Sequence, residues 1–161
     1  MILTAATVLT GEYSHSPGWV EVDHGVISAV GSGAPPRPAD VDLGDVVLTP
    51  GFVDMHVHGG GGGAYFEATD TAVAASVTLH RRFGTTSTIA SLVSDHHDVL
   101  VAQVRALADH VESGELLGIH LEGPGLDPRY KGAFPVESLI PPNLEHMQAW
   151  LAAARGKIKL V

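Results

Sequence analysis

The chain has 161 residues, with 9 Lys and Arg against 18 Asp and Glu, giving a formal net charge of −9. So acidic a chain lacks the basic face that displaces counterions from phosphate backbones, which argues against nucleic acid and an anionic membrane surface as partners. At 45% hydrophobic and 17% charged it holds enough apolar material to fold, and without cysteine it has no disulfide, thiolate metal site or cysteine nucleophile.

The first eight residues, Met1 to Val8, contain no basic leader, and no later stretch approaches the ~18 apolar residues of a membrane span. A cytoplasmic chain without membrane association is the expectation. Residues 1–49 form a first segment. Runs of β-type residues at 2–9, 19–22, 26–30 and 41–48 are separated by Gly11, His24-Gly25 and a Pro-rich stretch at 34–38. They predict a small antiparallel sheet that needs another element to lean on, with Gly25 supplying the positive φ of a tight hairpin.

From Pro50 the pattern changes, and residues 50–161 form the second segment. Strands are predicted at 52–58, 85–93, 116–121 and 158–161. Between them, Val73, Val77 and Phe83 follow the cap region Thr69-Asp70 at helical spacing. Val99, Val104, Leu107 and Val111 follow Ser94-Asp95, with Gly114 as a stop, and Leu144, Met147 and Leu151 follow Asn143. Alternating strands and helices build parallel sheets with right-handed crossovers, either a barrel or an open doubly wound sheet. Termination on a buried parallel strand would leave an open sheet edge, so a piece of a longer protein is expected.

The chemistry sits at two strand ends. In Asp54-Met55-His56-Val57-His58 the side chains alternate, placing Asp54, His56 and His58 on one face with the two imidazoles about 7 Å apart at the backbone. Such a pair can converge on one metal ion, although two histidines on a strand end can also be only that. Five glycines follow, Gly59 to Gly63, and could let substrate or metal approach the backbone closely, since no side chain fills that space. In Gly118-Ile119-His120-Leu121-Glu122-Gly123-Pro124 a carboxylate stands at the strand rim. Glu122 with His56 and His58 makes a reasonable divalent-metal shell, against the plainer reading of a capping or loop carboxylate. His120, one step deeper, reads as a packed core histidine or a partner supporting a ligand. His80, His96, His97, His110 and His146 fall on predicted helices and read as solvated, as do His15 and His24 in the first segment. Arg129-Tyr130-Lys131-Gly132 is a loop that could meet an anionic group or simply be solvated.

Pro50-Gly51-Phe52-Val53-Asp54-Met55-His56-Val57-His58-Gly59, with Glu21 to Gly31 before it, resembles the amidohydrolase superfamily. Gly84-Thr85-Thr86-Ser87, the stretch from Gly118 to Pro124 and Lys131-Gly132-Ala133 resemble its N-acetylglucosamine-6-phosphate deacetylase family. The resemblance implies an α/β fold, the N-terminal part of a (β/α)8 TIM barrel with about four strands, preceded by a small β-sandwich segment. It implies metal-dependent hydrolysis of an acetamide on a phosphorylated amino sugar, with Glu122 on the principal metal and His56 and His58 able to hold a second. The cofactor would be a divalent ion, zinc, one or two per site. Some members replace the histidine pair and use one metal. Ala133 and Phe134 match positions that contact the sugar. The second is usually histidine, so Phe134 is a departure, as is Gly125 where a bulky aromatic residue is common. The other metal histidines, a phosphate-binding arginine and the catalytic aspartate would come from beyond Val161, and a homodimer is implied for the full-length protein. Two alternatives stand beside this reading: an amidohydrolase of another amide or a cyclic ureide, and a truncated product without activity.

Overall fold

The computed structural model describes all of residues 1–161, which divide into two compact units, Met1–Pro50 and Gly51–Val161. No helix is long and apolar enough to cross a membrane.

The first unit contains β1 (Ile2–Ala5), β2 (Thr7–Leu9), β3 (Ser14–His15), β4 (Gly18–Asp23), β5 (Val26–Ser32), β6 (Val41–Asp42) and β7 (Val47–Leu48). They form two sheets, ordered β5-β4-β1-β6 and β3-β2-β7. The expectation of one antiparallel sheet is therefore corrected. Each of the runs 2–9 and 41–48 splits between the two sheets, and β6 and β7 pair in parallel with β1 and β2. The breaks face one another: Ala6 N–H donates to Gly44 O at 2.9 Å, and Gly44 takes φ 73°. A run of apolar residues carries no mark of such a crossing, because both halves keep the same β-type composition. Ala5, Val8 and Val20 are buried, with Val22, Val30 and Leu48 packed around them. Between β4 and β5, His24 and Gly25 have φ 47° and 78°, the two positive values of a type I′ hairpin.

The second unit contains β8 (Phe52–Val57), β9 (Gly59–Gly60), β10 (Gly63–Ala64), α1 (Asp70–Arg82), β11 (Thr85–Leu92), α2 (His97–Glu112), β12 (Gly118–Leu121), α3 (Leu144–Ala153) and β13 (Ile158–Leu160). The main sheet runs β8-β11-β12-β13, every pairing parallel, so each new strand adds beside its predecessor. An open doubly wound sheet reverses direction at a switch point; these four strands do not.

Alternation sorts the side chains of this sheet. Val57, Ala90, Leu92, Ile119 and Leu121 point to the side where Val73 and Val77 of α1, Leu100, Val104 and Leu107 of α2 and Trp150 of α3 complete a buried core. Burying a leucine or valine of this kind contributes about 1.5–3 kcal/mol. The opposite face carries His56, Ser91, His120 and, just past β12, Glu122. Local signals fix the helix starts: Thr69 Oγ1 accepts from Ala72 N at 3.3 Å, and Asn143 Oδ1 from His146 N at 3.1 Å. At α2 the predicted opening at Ser94-Asp95 is displaced to His96, which makes no side-chain cap. Ser94 Oγ donates instead to Glu122 O at 3.1 Å, and Asp95 accepts from His96 N at 2.7 Å.

Candidate metal centre

His56 comes from β8, His58 follows it directly, and Glu122 follows β12, two strands across the sheet. All three stand at the carboxyl ends of parallel strands, where main-chain direction gathers loops and sites. His56 Nε2 lies 3.0 Å from Glu122 Oε2, His58 Nε2 lies 2.8 Å from the same oxygen, and the two imidazole nitrogens are 3.2 Å apart. The three donor atoms thus form a small triangle.

The chemistry of this triangle tests whether a cation fits. His58 Nδ1 lies 3.0 Å from Ser91 O, and since a carbonyl oxygen only accepts, Nδ1 carries the proton. Neutral His58 therefore turns a bare lone pair toward a carboxylate oxygen at 2.8 Å, which repels unless positive charge lies between them. Either an imidazolium proton or a metal ion satisfies that demand. Ligands around a tetrahedral zinc at ~2.05 Å are about 3.3 Å apart, close to the observed spacings, so the residues fit a divalent ion.

Surrounding contacts hold the donors. Glu122 N–H donates to Leu92 O at 3.0 Å, tying the residue after β12 to the end of β11. Asp54 Oδ1 accepts from His56 N at 3.1 Å, so this carboxylate braces the strand end. His120 Nδ1 meets Ser91 Oγ at 3.0 Å, and its ring stands edge-on to His56 with centroids 4.9 Å apart. Burial lowers the His120 pKa below the usual imidazole value, His56 and His58 add to the effect, and Glu122 opposes it. For Glu122 burial acts upward, but the hydrogen bond from His56 and the charges of His56 and His58 outweigh it and hold the carboxyl below its ordinary range.

Several expectations are corrected. The glycine run is filled in large part by the protein itself, because β9 and β10 form a hairpin that packs on α1 at Gly60, Gly61 and Gly63, leaving Gly62 open. A Cβ at Gly60 would meet His80 Nε2 at 2.8 Å, and one at Gly61 would meet Ala75 O at 2.7 Å. The helix histidines are not all solvated either. His80 Nε2 bonds Gly59 O at 3.0 Å, and His110, with its side chain 13% exposed, bridges Asp70 and Glu115. His97 and His146 stack at 4.0 Å beside Trp150; His96 is the exposed one. Arg129 turns its guanidinium back onto Asp127, with Nη2 to Oδ2 at 2.6 Å, so its fork is already engaged. Ala133 is exposed and Phe134 half-buried in the loop after β12, where Phe134 O accepts from Lys131 Nζ at 2.8 Å. The sequence reading passed over Ser91; its signal was a polar residue on the His120 face of a strand whose other face is apolar.

An apolar groove of about 630 Å³ opens beside Glu122, lined by Pro124, Leu126, Ile140, Leu144, Met147 and Trp150 among others. Its lining holds no cationic side chain.

No family model matches the chain. A solved structure of an N-acetyl-D-glucosamine-6-phosphate deacetylase mutant from Mycobacterium smegmatis, in complex with N-acetyl-D-glucosamine-6-phosphate, superposes with a TM-score of 0.97 at 44% identity, over 99% of this chain and 42% of that one. The N-acetylglucosamine-6-phosphate deacetylase of Bacillus subtilis is 34% identical over 154 residues, 89% of this chain and 39% of its own length. The chain is similar to N-acetylglucosamine-6-phosphate deacetylases along nearly its whole length. It spans about two-fifths of these deacetylases. An N-acetylgalactosamine-6-phosphate deacetylase of Escherichia coli O157:H7 also aligns, at 29% identity over 99% of the chain and 43% of its length.

Proposed function

We propose that this chain supplies the first metal ligands of an enzyme that hydrolyses the acetamide of N-acetylglucosamine-6-phosphate to glucosamine-6-phosphate and acetate. One observation carries the reading: His56, His58 and Glu122 bring three donor atoms to one point, in a chain whose relatives are deacetylases of that sugar phosphate. The sequential order β8-β11-β12-β13 supports reading the second unit as the opening half of a (β/α)8 barrel, and the two sheets of the first unit support a β-sandwich segment.

When bound, a divalent ion, which we read as zinc with one or two per site, polarises an amide carbonyl and lowers the pKa of water from ~15.7 toward ~7. Glu122, whose carboxyl is held below its ordinary range, offers negative charge to the ion at neutral pH. His58 keeps its proton on Nδ1 through Ser91 O, which leaves Nε2 free to ligate. Ala133 and Phe134 are the proposed sugar contacts of this chain; an aromatic ring at 134 offers packing to a sugar face but no hydrogen bond. The group that takes the water proton and passes it to the leaving amine, and the cation that receives the phosphate, belong in this reading to strands following β13. Occurrence in the cytoplasm and as a homodimer is part of the same proposal.

The similarity to an N-acetylgalactosamine-6-phosphate deacetylase favours a second reading, the 4-epimer as substrate. Acetate release from the two N-acetylhexosamine 6-phosphates and from unphosphorylated N-acetylglucosamine, in a protein carrying this chain at the length of its relatives, separates the readings. Glu122→Ala is expected to lose bound metal and turnover together; turnover retained without Glu122 would overturn the assignment.

A further inference from the structure

Ser91 is a buried hydroxyl in the middle of the sheet, 1% exposed, between Ala90 and Leu92 of the apolar core. A polar group so placed costs free energy unless it is paired. It is paired, and both the hydroxyl and the main-chain carbonyl of Ser91 reach toward the metal-facing histidines. The carbonyl takes the Nδ1 proton of His58 at 3.0 Å, and the hydroxyl meets His120 Nδ1 at 3.0 Å. The rings of His120 and His56 in turn stand edge to face, 4.9 Å between centroids at 88°. Strand register produces this arrangement, since Ser91 lies opposite His120 across the β11–β12 ladder while Ala90 lies opposite Val57, between the two histidines.

We propose that Ser91 and His120 are positioning residues that set the orientation of both metal-facing imidazoles, His58 through the Ser91 carbonyl and His56 through the ring of His120. The proposal rests on the reading of His56, His58 and Glu122 as metal ligands. The two arms are separable. Ser91→Ala keeps the carbonyl and therefore His58, but releases His120 and with it His56. His120→Asn keeps an amide near the Nδ1 position, able to reach Ser91, but withdraws the ring from His56. Ser91→Thr keeps the hydroxyl. Loss of a group that orients a ligand typically weakens metal affinity about 10–100-fold.

The test titrates a protein carrying this chain at the length of its relatives with cobalt(II), read by its visible ligand-field absorption, and with zinc in competition against a chelator. Wild type, Ser91→Ala, Ser91→Thr, His120→Asn and Glu122→Ala are compared, with far-UV circular dichroism and Tm recorded for each. Ser91→Ala and His120→Asn are expected to bind about 10–100-fold more weakly with an altered cobalt spectrum at unchanged helix content, and Ser91→Thr to match wild type. Wild-type affinity and spectrum in both weakened variants, with Glu122→Ala impaired, would overturn the positioning role and leave the metal reading standing. Binding by Glu122→Ala equal to wild type, or no uptake by wild type, would overturn the metal reading and this inference with it. Where Ser91→Ala does not fold, His120→Asn, which leaves the β11 core untouched, decides between these outcomes.

Discussion

His58 reaches across from the end of β8 to place Nδ1 3.0 Å from the carbonyl oxygen of Ser91 on β11, and this contact fixes which of its nitrogens can ligate. The proton must stay on Nδ1, so in the metal-free chain at neutral pH, long-range proton–nitrogen correlations of His58 are expected to show a protonated Nδ1. A neutral His58 with its proton on Nε2 would mean that the Ser91 contact does not set the tautomer, and the charge argument at the triangle would lose its premise.

The second prediction concerns the triangle itself. Glu122 Oε2 faces both imidazoles, so Glu122→Gln keeps an oxygen in place while removing the charge. Glu122→Gln, His56→Ala and His58→Ala should each weaken zinc or cobalt binding by at least about tenfold, roughly 1.4 kcal/mol. The double change His58→Ala with Glu122→Gln should cost less than the sum of the two, because the residues serve one ion. Calorimetric titration of wild type and the four variants checks this, and strict additivity would place the residues at separate sites.

A third prediction lies in the first unit. Asp40 Oδ2 accepts from Ile2 N at 2.6 Å and from Arg37 Nη1 at 3.0 Å, and these bonds hold its carboxyl below the ordinary range. A carboxylate with a depressed folded-state pKa adds stability above its unfolded value of about 3.9, and that contribution is lost as pH falls through the lower folded value. Asp40→Asn should therefore be less stable than wild type at pH 7, and the gap should close as the pH is lowered through this acid range. Urea unfolding across that range is the measurement; a gap that stays constant to the lowest pH would sink the assignment.

These residues also show how far the sequence could be read. Thr69, Asn143, Gly25 and Gly114 declared helix starts, a hairpin and a stop because each acts within four residues of itself, and the structure uses each as expected. The pairing of His56 with His58 was legible from strand alternation, and Glu122 from its place at a strand rim. Contacts between distant positions were not. The crossing at Ala6 and Gly44, the hold of Ser91 on His58 and the stacking of His97 on His146 link residues 33 to 49 apart in sequence, or in the crossing 38. No local periodicity encodes such partners. The glycine run was only partly legible for a related reason: a missing side chain signals close approach but does not name what approaches, and at Gly60, Gly61 and Gly63 it is α1.

That packing yields the last prediction. Gly62 and Gly63 are neighbours in sequence, but a Cβ at Gly62 would enter open space, whereas one at Gly63 would run into the backbone of Ala72 in α1. Gly62 takes φ 90°, so Gly62→Ala should cost about 1–2 kcal/mol from backbone strain alone. Gly63→Ala meets main chain that cannot swing aside, and should cost toward the upper end of the about 1–3 kcal/mol typical of overpacking. The two should differ more in metal binding than in stability. The hairpin leads into Tyr65, whose ring is fully buried and whose backbone N–H donates to His58 O at 2.9 Å, so pushing β10 off α1 also moves the residue that anchors His58. Gly63→Ala is expected to lower both Tm and cobalt affinity, and Gly62→Ala to lower Tm alone. Equal metal affinity in the two variants would show that the hairpin's seat on α1 has no bearing on the donor triangle.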